Sequence, residues 1–260
     1  MTNQVVISKR LQAVAALVSQ KSRVCDVGCD HGYVPIYLVE QGISKRVIAM
    51  DVNKGPLMRA KENILQYQMQ EYIELRLSDG LKALQEGEAD TVICAGMGGK
   101  LVLRILLEGM EKVLGMQELV LQPQSDIFLV RAFMRFAGMQ IVEENMILED
   151  EKYYPMMRVQ VIEPGKLQRT AEQFRINGCM HQKEIDALSE TVIKQGITVS
   201  DTYGPILVEK KHPVLYKFMD KEAENYQLIL KQLEKANRKN EKYEDITRRL
   251  SDIQTIRGYV

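Results

Sequence analysis

The chain has 260 residues, 45% hydrophobic and 27% charged, with 17 Gly and 7 Pro, a balance that excludes disordered and fibrous classes and leaves room for one large α/β domain plus a smaller appendage. Its 35 Lys and Arg offset 35 Asp and Glu, so no overall basic field is present. No run of about 18 uncharged apolar residues occurs, and the opening MTNQVVISKRLQAV has no signal-peptide core, so the expectation is a cytoplasmic protein that neither crosses nor sits on a membrane.

In chain order, Ser8 to Ser19 carries apolar residues at 11, 14, 15, 17 and 18, the stripe of a helix packed on a sheet. Short apolar runs of strand character follow at Arg23 to Val27, Arg46 to Asp51, Ile73 to Leu77, Thr91 to Ala95 and Glu118 to Leu121. Helical patterns separate them near residues 33–41, 55–68, 80–86, 99–114 and 126–137. This alternation predicts βα units and a mostly parallel, Rossmann-like sheet. After Gly138, Gln140 to Leu148 and Met156 to Ile162 read as two strands with no helix between them, an antiparallel hairpin at the sheet edge. A dehydrogenase half-domain would continue with a sixth βα unit instead.

Beyond Glu163-Pro164-Gly165 the strand pattern stops, which places the domain boundary between residues 1–163 and a helical, coiled-coil-like unit over 164–260. That unit is broken at Tyr203-Gly204-Pro205. Tyr226, Leu230 and Leu233, then Tyr243, Ile246, Leu250 and Ile253, form apolar seams on either side of Asn237-Arg238-Lys239-Asn240. One long helix fits this pattern, but an antiparallel pair is preferred because two Asn would fall on consecutive seam positions. Charge drifts along the chain: 18 Lys/Arg against 21 Asp/Glu up to residue 163, and 17 against 14 beyond it.

The residues with chemistry sit at strand ends. Asp26-Val27-Gly28-Cys29-Asp30-His31-Gly32 forms a strand–turn–helix junction, where Gly28 and Gly32 let a ligand approach the backbone. Asp30 repels a pyrophosphate but suits a ligand carrying a sulfonium and an ammonium, which describes S-adenosylmethionine; the bland alternative is that Asp26 or Asp30 caps a turn. Asp51, nineteen residues past Gly32, ends the second strand, where a carboxylate accepts from ribose hydroxyls. Asp79, in Leu77-Ser78-Asp79-Gly80, ends the third, within reach of an adenine amino group. Ala95-Gly96-Met97-Gly98-Gly99 and Leu121-Gln122-Pro123-Gln124 close the fourth and fifth. Cys25 and Cys29 make a lone C-x3-C without two further ligands, so no metal is expected.

Together DVGCDHGYVPIYL, MDVN, SDGL, AGMGG and LQPQ, in this order over residues 5–162, resemble the bacterial tRNA (adenine(22)-N1)-methyltransferase family. The likeness extends through Tyr203-Gly204-Pro205-Ile206-Leu207 into the helical tail. It implies a Rossmann-like catalytic domain, S-adenosylmethionine as cofactor, tRNA as partner and a C-terminal domain that helps grip it; a monomer is favoured. Carried onto this chain, Asp26, Gly28, Asp30, His31 and Gly32 would surround the methionine part and sulfonium. Asp51 and Val52 would take the ribose, Ser78, Asp79 and Gly80 the adenine, and Ala95, Gly96, Met97 and Gly98 the methyl-transfer face. Asp30 and His31 are the catalytic candidates, with His31 alternatively a helix cap. Tyr33, Lys9, Arg10, Gln122 and Pro123 are expected to meet the tRNA, with Lys100, Arg104, Lys210, Lys211, Arg238, Lys239, Arg248 and Arg249 as further phosphate contacts. Two other readings stay open on the residues alone: a methyltransferase for a protein or small molecule with a dimerising tail, and a non-catalytic nucleotide-binding scaffold.

Overall fold

The computed structural model describes residues 4–175, 178–236 and 240–258. Seven strands form one sheet in the order β3-β2-β1-β4-β5-β7-β6: β1 Val24–Val27, β2 Val47–Asp51, β3 Ile73–Leu77, β4 Thr91–Gly98, β5 Glu118–Ser125, β6 Met139–Glu149 and β7 Lys152–Val161. The first five run parallel, and β7 joins β5 antiparallel. Strands β1 and β2 are buried along their whole length, which is why they read as continuous apolar runs. Helices α1 (Lys9–Ala16), α2 (Tyr33–Glu40) and α3 (Lys54–Gln66) pack on one face, while α4 (Gly99–Glu108), α5 (Met110–Val113) and α6 (Ile127–Phe136) pack on the other, giving two apolar cores.

Because the chain winds outward from β1 through β2 to β3 and then returns to place β4 on the other side, the strand order reverses between β1 and β4. The crevice outside their carboxyl ends is where such sheets take ligands.

Three local expectations are corrected. Residues 80–86 form turns and no helix: Gly80 sits at φ +60°, and the Ser78 hydroxyl accepts from Ala83 N–H (3.0 Å) and donates to the Gly80 carbonyl (2.9 Å). The helix over 99–114 is two helices, divided at Gly109, where a Cβ would lie 2.6 Å from a Leu81 methyl. Strands β4 and β5 run on past the apolar runs to Gly98 and Ser125, with a register shift between Ala95 and Met97.

The C-terminal helices are α7 (Pro164–Phe174), α8 (Gln182–Lys194), α9 (Val199–Tyr203), α10 (Pro205–Glu209), α11 (Pro213–Lys235) and α12 (Glu241–Gly258). Leu167, Ala171, Ile185 and Leu188 of α7 and α8 bury into the core that also holds α4 and α6. A separate core joins Tyr203, Leu207, Leu215, Met219, Ile253 and Ile256 to Met146 of β6. Helices α11 and α12 lie antiparallel, with Arg257 paired to Asp220 and the Tyr243 hydroxyl bonded to Glu234 (2.9 Å). Arg238 and Lys239, between them in sequence, lie outside the described residues.

A buried ion pair links α6 and β6 to α9 and α10. Arg131 Nε donates to Glu144 (2.8 Å), and its Nη1 donates to the carbonyls of Thr202 (2.9 Å) and Asp201 (3.2 Å). Glu144 in turn accepts from Ile206 N–H (2.9 Å), so both charges are saturated with partners.

Candidate active site

A cleft of about 360 Å³ opens at the switch point, within the range of ordinary small-molecule sites. Its floor is acidic. Asp26 at the end of β1 and Asp51 at the end of β2 are both buried. Asp51 accepts from Asn53 N–H (2.8 Å), whereas the Asp26 carboxylate accepts no hydrogen bond from the described residues. Burial, with Asp51 adding like charge, pushes the Asp26 carboxyl up to about 7. A buried, unpartnered acid at a ligand crevice is poised for a donor that arrives with the ligand.

The turn after β1 is built for close approach. Gly28 N–H and Cys29 N–H both donate to the Met50 carbonyl (2.8 and 3.0 Å), holding the turn against β2, and Gly28 takes φ +75° with Met97 lying over it. Asp30 is itself left-handed (φ +47°), a conformation Asp tolerates better than most residues, and this swings its carboxylate to the exposed rim. There it faces His31 Nε2 (3.6 Å) and Arg59 (3.8 Å). The His31 carbonyl accepts from Asn63 Nδ2 (2.9 Å), and its ring stacks on Tyr33 (centroids 5.8 Å apart, planes 19°). Gly32 occupies the cap position of α2 at φ +74°, so His31 is not the cap. The alternative reading of His31 as a capping residue is thereby removed.

The opposite wall comes from β4, β5 and α1. Ala95 and Gly96 (φ +80°) line it together with Gln124, while Arg10 reaches in from α1. Arg10 Nη1 donates to the fully buried Gln122 (2.7 Å).

The cleft thus gathers Asp26, Gly28, Asp30, His31, Tyr33, Asp51, Ala95, Gly96 and Arg10. Other candidates stand apart. Val52 is exposed beyond the lining, Met97 covers Gly28, and Pro123 is buried in β5. Ser78 and Gly80 shape the neighbouring turn, where Lys82 (2.6 Å) and Arg104 (2.9 Å) hold the Asp79 carboxylate; the Lys82 bond leads in keeping its pKa below the usual range. Gly98 borders an adjoining groove with Lys100 and Arg104, in which Lys100 pairs with Asp186 (2.8 Å). Lys9 is exposed, its N–H bonded to Glu149 (2.8 Å); Lys210 and Lys211 are exposed, and Arg248 and Arg249 pair with Asp245. Sequence reading passed over Asn53, Pro56 and Gln124, which also line the cleft. Asn53 and Gln124 lay inside the motifs MDVN and LQPQ, so strand-end position was the signal available. Among the described residues no cluster of His, Cys, Asp or Glu could hold a metal, and no helix is long and apolar enough to cross a membrane.

The methyltransferase-domain family model matches residues 7–157. The tRNA (adenine(22)-N(1))-methyltransferase of Bacillus subtilis is 30% identical over 90% of this chain and 88% of its own. The chain belongs to the tRNA (adenine(22)-N(1))-methyltransferase family. The crystal structure of the B. subtilis m1A22 tRNA methyltransferase TrmK superposes with a TM-score of 0.75 at 26% identity, covering 97% of this chain and 99% of that one. Streptococcus pneumoniae Sp1610 in complex with S-adenosyl-L-methionine gives a TM-score of 0.75 at 30% identity, covering 96% and 99%. Family membership therefore includes the helical tail as well as the sheet.

Proposed function

We infer that this chain transfers the methyl group of S-adenosylmethionine to N1 of adenosine 22 in tRNA. The observation that carries the reading is the buried Asp26–Asp51 floor of the switch-point cleft in a chain of this family. Two carboxylates there favour a cationic nucleoside and disfavour the pyrophosphate of a dinucleotide. The residues fit the cofactor: Asp26 offers an unpartnered acceptor for an ammonium, Asp51 an acceptor for ribose hydroxyls, and the positive-φ glycines 28 and 96 line the cleft, while Gly32 packs against Ala60. When bound, S-adenosylmethionine supplies an electrophilic methyl group. Asp79 remains the candidate for the adenine amino group, since each carboxylate oxygen accepts more than one bond.

Adenine N1 carries a free lone pair, so attack needs alignment more than a strong base. Methylation leaves the ring cationic, and the Asp30 carboxylate beside His31 supplies compensating charge and an acceptor for the proton then lost. Tyr33, stacked on His31, presents a flat face to an extruded base. Residues 1–163 carry this chemistry, and the helices beyond them help hold the folded RNA. Incubation with labelled S-adenosylmethionine and unmodified bulk tRNA, followed by digestion to nucleosides, should place the label in N1-methyladenosine. Label in another nucleoside, or only in protein, rejects the reading.

A further inference from the structure

The sheet sorts the cleft by strand. Asp51 closes β2 and Asp26 closes β1, so the two carboxylates that suit the cofactor lie on one side of the switch point. On the other side come β4 and then β5, which, two strand spacings on, stands about 10 Å from β1. At that end β4 and β5 supply Ala95, Gly96 and Gln124 to the lining.

Gln124 is aimed by an irregularity in the ladder. Ala95 pairs with Gln122, Met97 with Pro123 and Gly98 with Ser125, so Gly96 on β4 and Gln124 on β5 are each left without a partner residue. Such bulges re-aim side chains beside ligand sites. Strand β5 is buried from Glu118 to Pro123 and surfaces at Gln124. Gly96 takes φ +80°, and a Cβ on it would lie 3.8 Å from Gln124 Nε2, so the amide stands beside a bare glycine. Among the described residues no hydrogen bond occupies that amide, whereas the Gln122 oxygen accepts from Arg10 (2.7 Å).

The reaction dictates which edge of adenine an amide can take here. N1 must keep its lone pair and face the methyl carbon, so a bond to N1 is excluded. The N6–N7 edge remains, a donor beside an acceptor, and one side-chain amide answers both with its oxygen and its NH2 group. The carboxylates of the cleft only accept, and Arg10 only donates. Asn53, a second amide in the lining, follows Asp51 at the end of β2, on the cofactor's side. As N1 bonds to the methyl carbon the ring gains positive charge, and the bond from N6–H to the Gln124 oxygen strengthens with it.

We propose that Gln124 reads the N6–N7 edge of the target adenine, its oxygen accepting from N6–H and its NH2 donating to N7, which holds N1 toward the methyl donor. Gln124 is thus a specificity-determining residue that touches the acceptor base. The inference rests on the tRNA reading above and adds to it how the base is recognised.

The test compares wild type and Gln124→Ala on tRNA carrying either adenosine or 7-deazaadenosine at position 22; the analogue replaces the N7 acceptor by C–H and leaves N1 intact. Gln124 is exposed, so the substitution carries little folding risk. Wild type should lose about tenfold in kcat/KM on the analogue. Gln124→Ala should lose about tenfold or more on adenosine and nothing further on the analogue, because the contact that the analogue removes is already gone. The dissociation constant for S-adenosylmethionine should stay within about twofold. A wild type indifferent to the analogue, or an analogue penalty of equal size in both proteins, overturns the proposal. A comparable loss of S-adenosylmethionine affinity in Gln124→Ala overturns it too, since the amide would then serve the cofactor. Wild-type protein that methylates neither tRNA rejects the functional reading and this contact with it, an outcome distinct from methylation that ignores N7.

Discussion

At the level of single residues, Asp26 has the sharpest consequences. Its folded-state carboxyl titrates near 7 against an ordinary value of 3.8, so the folded protein keeps this proton over a range in which the unfolded chain has lost it. Stability from this group therefore falls as pH rises from about 4 to about 7, and Asp26→Asn should remove that fall, giving a higher Tm than wild type at pH 8 in the absence of ligand. The same substitution should weaken S-adenosylmethionine binding by tenfold or more. In wild type the affinity should climb as pH passes through about 7 and level off above it. Calorimetric titration from mildly acid to mildly alkaline pH checks both, and a flat wild-type profile contradicts the role given to the carboxylate. For Asp30 and His31 at the rim, Asp30→Asn and His31→Gln should lower kcat by about tenfold or more while changing cofactor affinity much less. Equal losses in both constants would mean that the pair only binds. The carboxylates were legible in the sequence because strand ends are marked by the switch from apolar runs to Asp. His31 was not, because cap and catalyst share one sequence position; the left-handed Gly32 that takes the cap position exists only in the folded chain.

At the level of elements, local chemistry explains both what could be read in advance and what could not. The alternation of apolar runs and helical stripes announced β1 to β5 and the edge hairpin. The turn of that hairpin was invisible, since Asp150 and Glu151 both sit at positive φ (+48° and +61°) without the Asn-Gly signature of such turns. Glu151→Gly should consequently stabilise the protein by about 0.5–1 kcal/mol, seen as a rise in Tm; a fall would mean that the Glu151 side chain contributes more than its strain costs. The apparent helix over 80–86 failed for a physical reason of the same kind, a serine hydroxyl and a left-handed glycine offering the backbone a turn in place of a helix. The Gly204 turn is the converse case. Its φ of +91° and a Cβ position 2.8 Å from both Arg131 and Glu144 leave no room for a side chain. Gly204→Ala should cost several kcal/mol, of the order seen when a buried ion pair is disturbed. Denaturant unfolding with an unchanged m-value measures this; a loss under about 0.5 kcal/mol, the range of neutral surface changes, contradicts the packing described.

For the molecule as a whole, a formally neutral chain that handles tRNA must rely on placement of charge rather than on its sum. The acidic floor of the cleft suits the sulfonium and ammonium of the cofactor, while tRNA brings its phosphates to the surface. Affinity for tRNA should accordingly decline with salt, while affinity for S-adenosylmethionine, held in a buried site, should change far less. Parallel salt dependences would contradict this division. Strand order, which makes the cleft, was not read from the sequence, because periodicity gives the number of strands and not their neighbours. The central claim is one of position as well as chemistry, and methylation at adenine N1 blocks the pairing edge, so reverse transcription of the treated tRNA reports it directly. The account predicts a strong stop at position 22 that requires both protein and S-adenosylmethionine and disappears when adenosine 22 is replaced by guanosine. A stop elsewhere, or one that survives the replacement, would contradict it.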